Sequence, residues 1–106
     1  MPIISIQLQP KLDSRLNSND VLKILNALGH DSKVSEGEDG VPYINVAFKV
    51  HNLSEQWPSL KSALCSCPGF NQAAIVVCEG SKGWDNYLLL HHFNQSEQIY
   101  LVPSNH

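Results

Sequence analysis

The sequence predicts an α+β fold in which an antiparallel-rich sheet carries two helices on one face. Three observations lead there. Short runs alternate apolar and polar residues, as half-buried strands do. Two longer runs repeat their apolar residues every three or four positions, as helices do. The two kinds are interleaved as β-α-β-β-α-β before a strand-rich end.

The first strand is Ile3 to Leu8, where Ile4, Ile6 and Leu8 share one face and Pro10 stops the run. The segment after it offers Asn17, Ser18 or Asn19 as a helix N-cap, Asp20 near the positive end of the dipole and Gly29 as the residue beyond the C-cap. Val21, Ile24, Leu25 and Leu28 then form the buried stripe of the first helix. A weak, charged edge strand is expected around Lys33 to Glu36, followed by a glycine turn. Tyr43 to Val50 alternates cleanly, with Ile44, Val46, Phe48 and Val50 pointing inward. In the second helix Leu53, Trp57, Leu60 and Leu64 share a face. Pro58, lacking an N–H, is expected in its first turn, so the regular helix begins a residue or two before it. The run Ala73 to Glu79 is apolar on both sides, as in a strand covered on two faces. A Gly80-Ser81-Lys82-Gly83 turn leads into a fifth strand, Asn86 to Phe93, and Gln98 to Val102 reads as a sixth.

The first six elements follow the order of the ferredoxin-like split βαβ unit, an analogy of topology that names no family. Right-handed crossovers then place both helices on one face, and a C-terminal hairpin of strands five and six extends the sheet to the order 2-3-1-4-5-6. Two helices about 10 Å wide cannot shield six strands spaced about 4.8 Å apart. The hairpin carries Leu88, Leu89, Leu90, Phe93, Ile99 and Leu101, and side chains of this kind need cover. A second copy of the chain, packed on the open sheet face or exchanging the hairpin, would supply it. So would a sheet that curls over itself into a partial barrel.

Composition narrows the function. With 106 residues, 42% hydrophobic and 16% charged, residues 1–106 read as one globular domain with a core of its own. Seven basic against ten acidic residues, without a run of Lys or Arg, argues against nucleic acid. No apolar run has membrane-spanning length and the first residues lack a secretory pattern, so a soluble, cytoplasmic protein is expected. Three cysteines, Cys65, Cys67 and Cys78, suit reduced packing thiols, and their spacing does not suit zinc; no metal or cofactor is expected.

Binding is the leading expectation. Tyr43, Trp84, Tyr87, Leu89, Phe93 and Tyr100 form a candidate aromatic-apolar surface. Glu36, Glu38 and Asp39 form an acidic patch that would suit a basic protein partner, as in an inhibitor or immunity-type protein. The other class is a small enzyme or ligand-binding domain with a site between the open sheet face and the hairpin, using His91 or His92 with Asp85. Adjacent histidines on a strand leave opposite faces, so the pair does not chelate one ion unless the backbone bulges. The Gly-x-x-Gly turn joins two strands and lacks the helix that phosphate-binding glycine loops precede.

Overall fold

The computed structural model describes residues 2–80, 82–94 and 96–100, the side chain of Asp39 excepted. It is a small α+β domain with one five-stranded antiparallel sheet and three helices. In chain order these are β1 (Ile3–Leu8), α1 (Ser18–Ala27), β2 (Ser32–Asp39), β3 (Val41–Lys49), α2 (Leu53–Cys65), α3 (Phe70–Ala73), β4 (Ala74–Gly80) and β5 (Gly83–His91). The sheet order is β2-β3-β1-β4-β5, and every adjoining pair runs antiparallel. No helix among the described residues is long and apolar enough to cross a membrane.

One face of the sheet is the core. Ile4, Ile6 and Leu8 of β1 meet Val46 and Phe48 of β3 and Ala74, Val76 and Cys78 of β4, under Val21 and Leu25 of α1 and Trp57, Leu60 and Leu64 of α2. The period of two in the strands and of three to four in the helices therefore converge on one layer. The α1 stripe is turned slightly from its expected position: Leu22 and Ile24 pack at the margins while Leu28, the C-cap, is 45% exposed.

Both long helices are capped as their sequences allow. The Asn17 side chain accepts from the Asn19 amide at 2.8 Å, and the Asn52 side chain accepts from the Glu55 amide at 3.1 Å. Pro58 does not lie in the first turn. It is inside α2, which already begins at Leu53. The Gln56 side-chain oxygen explains how so early a start is held, because it accepts from the amides of both His51 (2.6 Å) and Asn52 (3.0 Å).

Several expectations change at the far end. The sixth strand does not form among the described residues: Gln98 to Tyr100 is not β-paired, and only the Tyr100 amide reaches β5, donating to the Leu89 carbonyl at 2.7 Å. Leu101 and Val102 lie outside the described residues. The cause lies in the preceding turn, where Asn94 Oδ1 takes both the amide (3.0 Å) and the hydroxyl (2.8 Å) of Ser96 and holds the chain in a bend. The third helix was not expected. After α2, Cys67 to Phe70 forms a turn closed by the Phe70 amide on the Cys67 carbonyl at 3.1 Å, with Gly69 at φ 81°, ψ −6°. Those angles are those of the third residue of a type II turn, and Pro68 occupies the position before it. The turn aims Phe70 onto the helix side of the sheet, where its ring stacks on His91 at 5.3 Å. Phe70 thus shelters the part of β4 and β5 that two helices leave bare.

β4 is covered on that side alone. Ala74, Val76 and Cys78 are buried, whereas Ile75 and Val77 on the reverse are half-buried. β2 is longer than expected because Gly40, at φ +75°, turns it directly into β3. Tyr43 folds its ring over Gly37 on the paired strand, where a Cβ would collide with it.

Candidate functional site

The open sheet face divides in two. Across the middle of β2, β3 and β1 its side chains are polar or small, namely Ser35, Asn45, Ala47, Ser5 and Gln7, with the Ser5 hydroxyl donating to Asn45 Oδ1 at 2.6 Å, while Ile3 stands at one end and Val41 and Tyr43 at the other. Across β4 and β5 they are Ile75, Val77 and Leu89, and here a shallow groove of about 460 Å³ runs between them and Trp84, Tyr87, His92 and Glu97. Trp84 is 45% exposed, Tyr87 57% and Tyr100 40%.

The aromatics project because β5 does not pair evenly. Cys78 lies opposite Leu88, but Gly80 lies opposite Gly83, so β5 carries three more residues than β4 over the same interval. Lacking a side chain, Gly80 lets the Asn86 backbone approach closely, and Asn86 Oδ1 accepts from the Lys82 amide at 2.8 Å. Trp84 and Tyr87 are carried outward on this widened segment. Leu89 joins them in the groove. Tyr43 does not, being three strands away and laid over Gly37. Phe93 is half-buried against the His92 ring at 4.6 Å.

The histidines part as strand geometry requires. A bulge at Leu90 brings both Leu90 and His91 to the helix side, and His92 falls on the open face. His92 Nδ1 accepts from the Asn94 amide at 2.9 Å, which fixes the proton of the neutral ring on Nε2. Its acidic neighbour in the groove is Glu97. Asp85 is exposed on β5 and does not line the groove. His91 is half-buried with its ring against Phe70, and its buried Nε2 has no hydrogen-bond partner.

That burial pushes the His91 pKa below its ordinary value, the Lys61 ammonium adds to the effect, a hydrogen bond to the Phe70 backbone opposes it, and His92 repels weakly. The unfolded chain, titrating near pH 6.5, therefore binds the proton first. Stability should be fully present above that pH and should fall as pH drops from about 6.5 through the lower folded value. His91→Phe keeps the stack and removes the orphaned nitrogen. Urea unfolding at a series of pH values is expected to show that the variant loses this slope and gains about 1 kcal/mol at neutral pH.

The cysteines do not assemble. All three thiols are pushed up by burial, Cys78 to about 11 with Glu79 contributing, so they act as apolar packing groups. No cluster of three metal-binding side chains occurs among the described residues. On β2 the register puts Glu36 and Glu38 on the helix side, paired with Ile44 and Pro42, and Asp39 opposite Val41 on the other side. Glu36 and Glu38 are exposed, and the Asp39 side chain lies outside the described residues.

A larger cavity, of about 600 Å³, lies elsewhere, at the end of the sheet where the α1–β2 and β3–α2 connections meet. Lys33, Lys49, His30 and His51 surround it, over Ile3, Ala47 and Phe48. The sequence does not show these residues as a group. Their signal was a histidine just after the glycine that ends one helix and another just before the asparagine that starts the next, flanking two strands that pair.

Comparison with protein-family models, curated proteins and solved structures finds no match to this chain, so its function must be read from its own side chains.

Proposed function

We propose that the fold is the ferredoxin-like split βαβ arrangement with a fifth strand added beside β4, and that the protein is a non-enzymatic binding module which pairs with a second copy of itself through the open face of β4 and β5. The order β2-β3-β1-β4 with antiparallel neighbours supports the first part. The observation that carries the second is the asymmetry of the open face: polar or small in the middle of β2, β3 and β1, apolar and aromatic over β4 and β5. The Ile75-Val77-Leu89 strip, half-buried among the described residues and edged by Trp84 and Tyr87, has the composition of an interface centre, with flat rings that lose little entropy on contact. A twofold axis over this strip would bring like residues together and match each patch to itself.

A basic partner for the acidic edge has less support. Glu36 and Glu38 stand on an edge strand, where charge discourages unwanted strand pairing. The enzymatic alternative, His91 or His92 acting with Asp85, has less support, since His92 lines the groove but Asp85 does not.

Sedimentation equilibrium over a wide concentration range tests the dimer. The wild type is expected to approach twice the chain mass of 11.8 kDa. Leu89→Glu, which leaves the helix-side core untouched, is expected to return it to the monomer mass with an unchanged circular dichroism spectrum. Burying one leucine is worth about 1.5 to 3 kcal/mol, so each copy lost should weaken association by about tenfold or more. A wild type that remains monomeric at millimolar concentration overturns the proposal.

A further inference from the structure

The cavity at the end of the sheet has a charge character unlike the rest of this acidic chain. Its positive groups come from neighbouring strands in fixed register. Lys33 of β2 pairs with Ala47 of β3, and Lys49 stands two residues along β3 on the same face. Such diagonal neighbours lie about 7 to 8 Å apart. Neither lysine has an ion-pair partner, the one salt bridge among the described residues being Arg15 with Asp13 at the opposite end of α1. Asp31 at the cavity is a single acid against two lysines.

The histidines are set by the helix ends. The His30 amide donates to the Leu25 carbonyl at 2.9 Å and the Gly29 amide to the Asn26 carbonyl at 3.1 Å, a Schellman closure of α1 with Gly29 at φ +83°. That closure places the His30 ring 5.0 Å from the Phe48 ring. His51 is held by its own amide, which donates to Gln56 Oε1 at 2.6 Å just ahead of α2. The Gln56 amide group also reaches the cavity as a donor. The α1 C-terminus and the α2 N-terminus bring opposite ends of two helix dipoles here, so the side chains set the sign of the site.

We infer that this cavity binds a small anionic molecule, a carboxylate or phosphate monoester on an apolar body, with Lys33 and Lys49 holding the anion, His30 and His51 donating hydrogen bonds, and Ile3 and Ala47, on the same sheet face as the lysines, receiving the body. The volume is in the range of small-molecule sites. An anion between the two ammonium groups relieves their mutual repulsion and supplies the partner each lacks. The inference is independent of self-association, which uses β4 and β5.

Phenyl phosphate, benzoate, inorganic phosphate and benzyl alcohol, titrated separately against the full chain, test it, with the His30 and His51 ring protons followed by NMR. Phenyl phosphate or benzoate is expected to shift both histidines saturably, and whichever binds tighter identifies the anionic group. Benzyl alcohol is expected to do nothing, and inorganic phosphate to bind at least about tenfold more weakly than phenyl phosphate. The double substitution Lys33→Ala with Lys49→Ala, at two exposed positions without partners, should leave the fold intact and weaken binding by about tenfold or more. Absence of saturable shifts with both aromatic anions, equal binding by the double variant, or inorganic phosphate binding as tightly as phenyl phosphate would each overturn it.

Discussion

Phe70→Ala is expected to lower stability by about 3 to 5 kcal/mol, a large part of what a domain of this size has. Phe70 is 1% exposed, and its ring is the cover that α3 lays over β4 and β5. Truncation would leave a cavity bounded by β4, which pairs on both sides, by the edge strand β5 and by α2, so the surroundings have limited freedom to collapse into it. It would also take away the stack on His91 and admit water to a nitrogen that now has no partner. Urea denaturation should show the midpoint falling by about 2 M or more, and Phe70→Leu, which restores much of the volume, should recover over half of the loss. A change below about 1 kcal/mol in Phe70→Ala would mean that α3 does not shelter the sheet.

Gly69→Ala is expected to cost about 2 to 4 kcal/mol for two separate reasons. The left-handed conformation at φ +81° costs an L-residue about 1 to 2 kcal/mol. The added Cβ would also stand 2.9 Å from the Leu16 amide nitrogen and 3.1 Å from the Asp13 carboxyl. Neither neighbour yields easily. The Leu16 amide is bonded to the Asp13 carbonyl at 3.1 Å, and the Asp13 carboxylate is gripped by the Arg15 side chain, which pulls its pKa down to about 2. Overpacking of this kind adds about 1 to 3 kcal/mol. The contrast is Gly29→Ala, where the backbone angle is similar and a Cβ meets nothing within 4 Å. Thermal melts of the two variants should therefore separate steric overlap from backbone strain, with Gly69→Ala the less stable. Equal melting temperatures would show that the contact with the Asp13–Leu16 loop carries no energy.

Much of the fold was legible in the sequence because it is written in local period. Ile4-Ile6-Leu8 and Val46-Phe48-Val50 alternate, Leu60 and Leu64 recur at helical spacing, and all are buried where the pattern places them. The N-cap at Asn17, one of the three candidates Asn17, Ser18 and Asn19, and the turn at Gly29 are also local, each needing only a few neighbouring residues. The early start of α2 was less legible, because Pro58 argued against it and the Gln56 side chain that supports it acts backward along the chain. The lack of strand pairing at Gln98 to Tyr100, among the described residues, has a similar cause: the segment can alternate as a strand does, but the hydrogen bonds of Asn94 direct the chain away from continuous pairing.

The candidate sites were less legible still. Trp84, Tyr87 and Leu89 were recognisable as a group by proximity in sequence, whereas Tyr43 and Tyr100 could be joined to them only by knowing the register. Tyr43 is used instead to cover Gly37. The end cavity draws on four separate stretches, and no one of them carries a motif. Lys33 and Lys49 come together because β2 and β3 form a hairpin, and His30 and His51 because the helices that flank the hairpin end and begin at the same edge.

The sequence by itself determined which strand residues and most of which helix residues face the core, that α1 is capped within Asn17 to Asn19 and that an antiparallel sheet carries its helices on one side, since these depend on side-chain period and on hydrogen bonds made within a turn or two. Only the tertiary structure decided that Phe70 covers the last strands, that His91 is the histidine turned to the helix side and His92 the one in the groove, and that four basic side chains share one cavity. Those outcomes depend on bulges, on strand register and on the approach of distant segments, where a shift of one residue changes which face a side chain occupies.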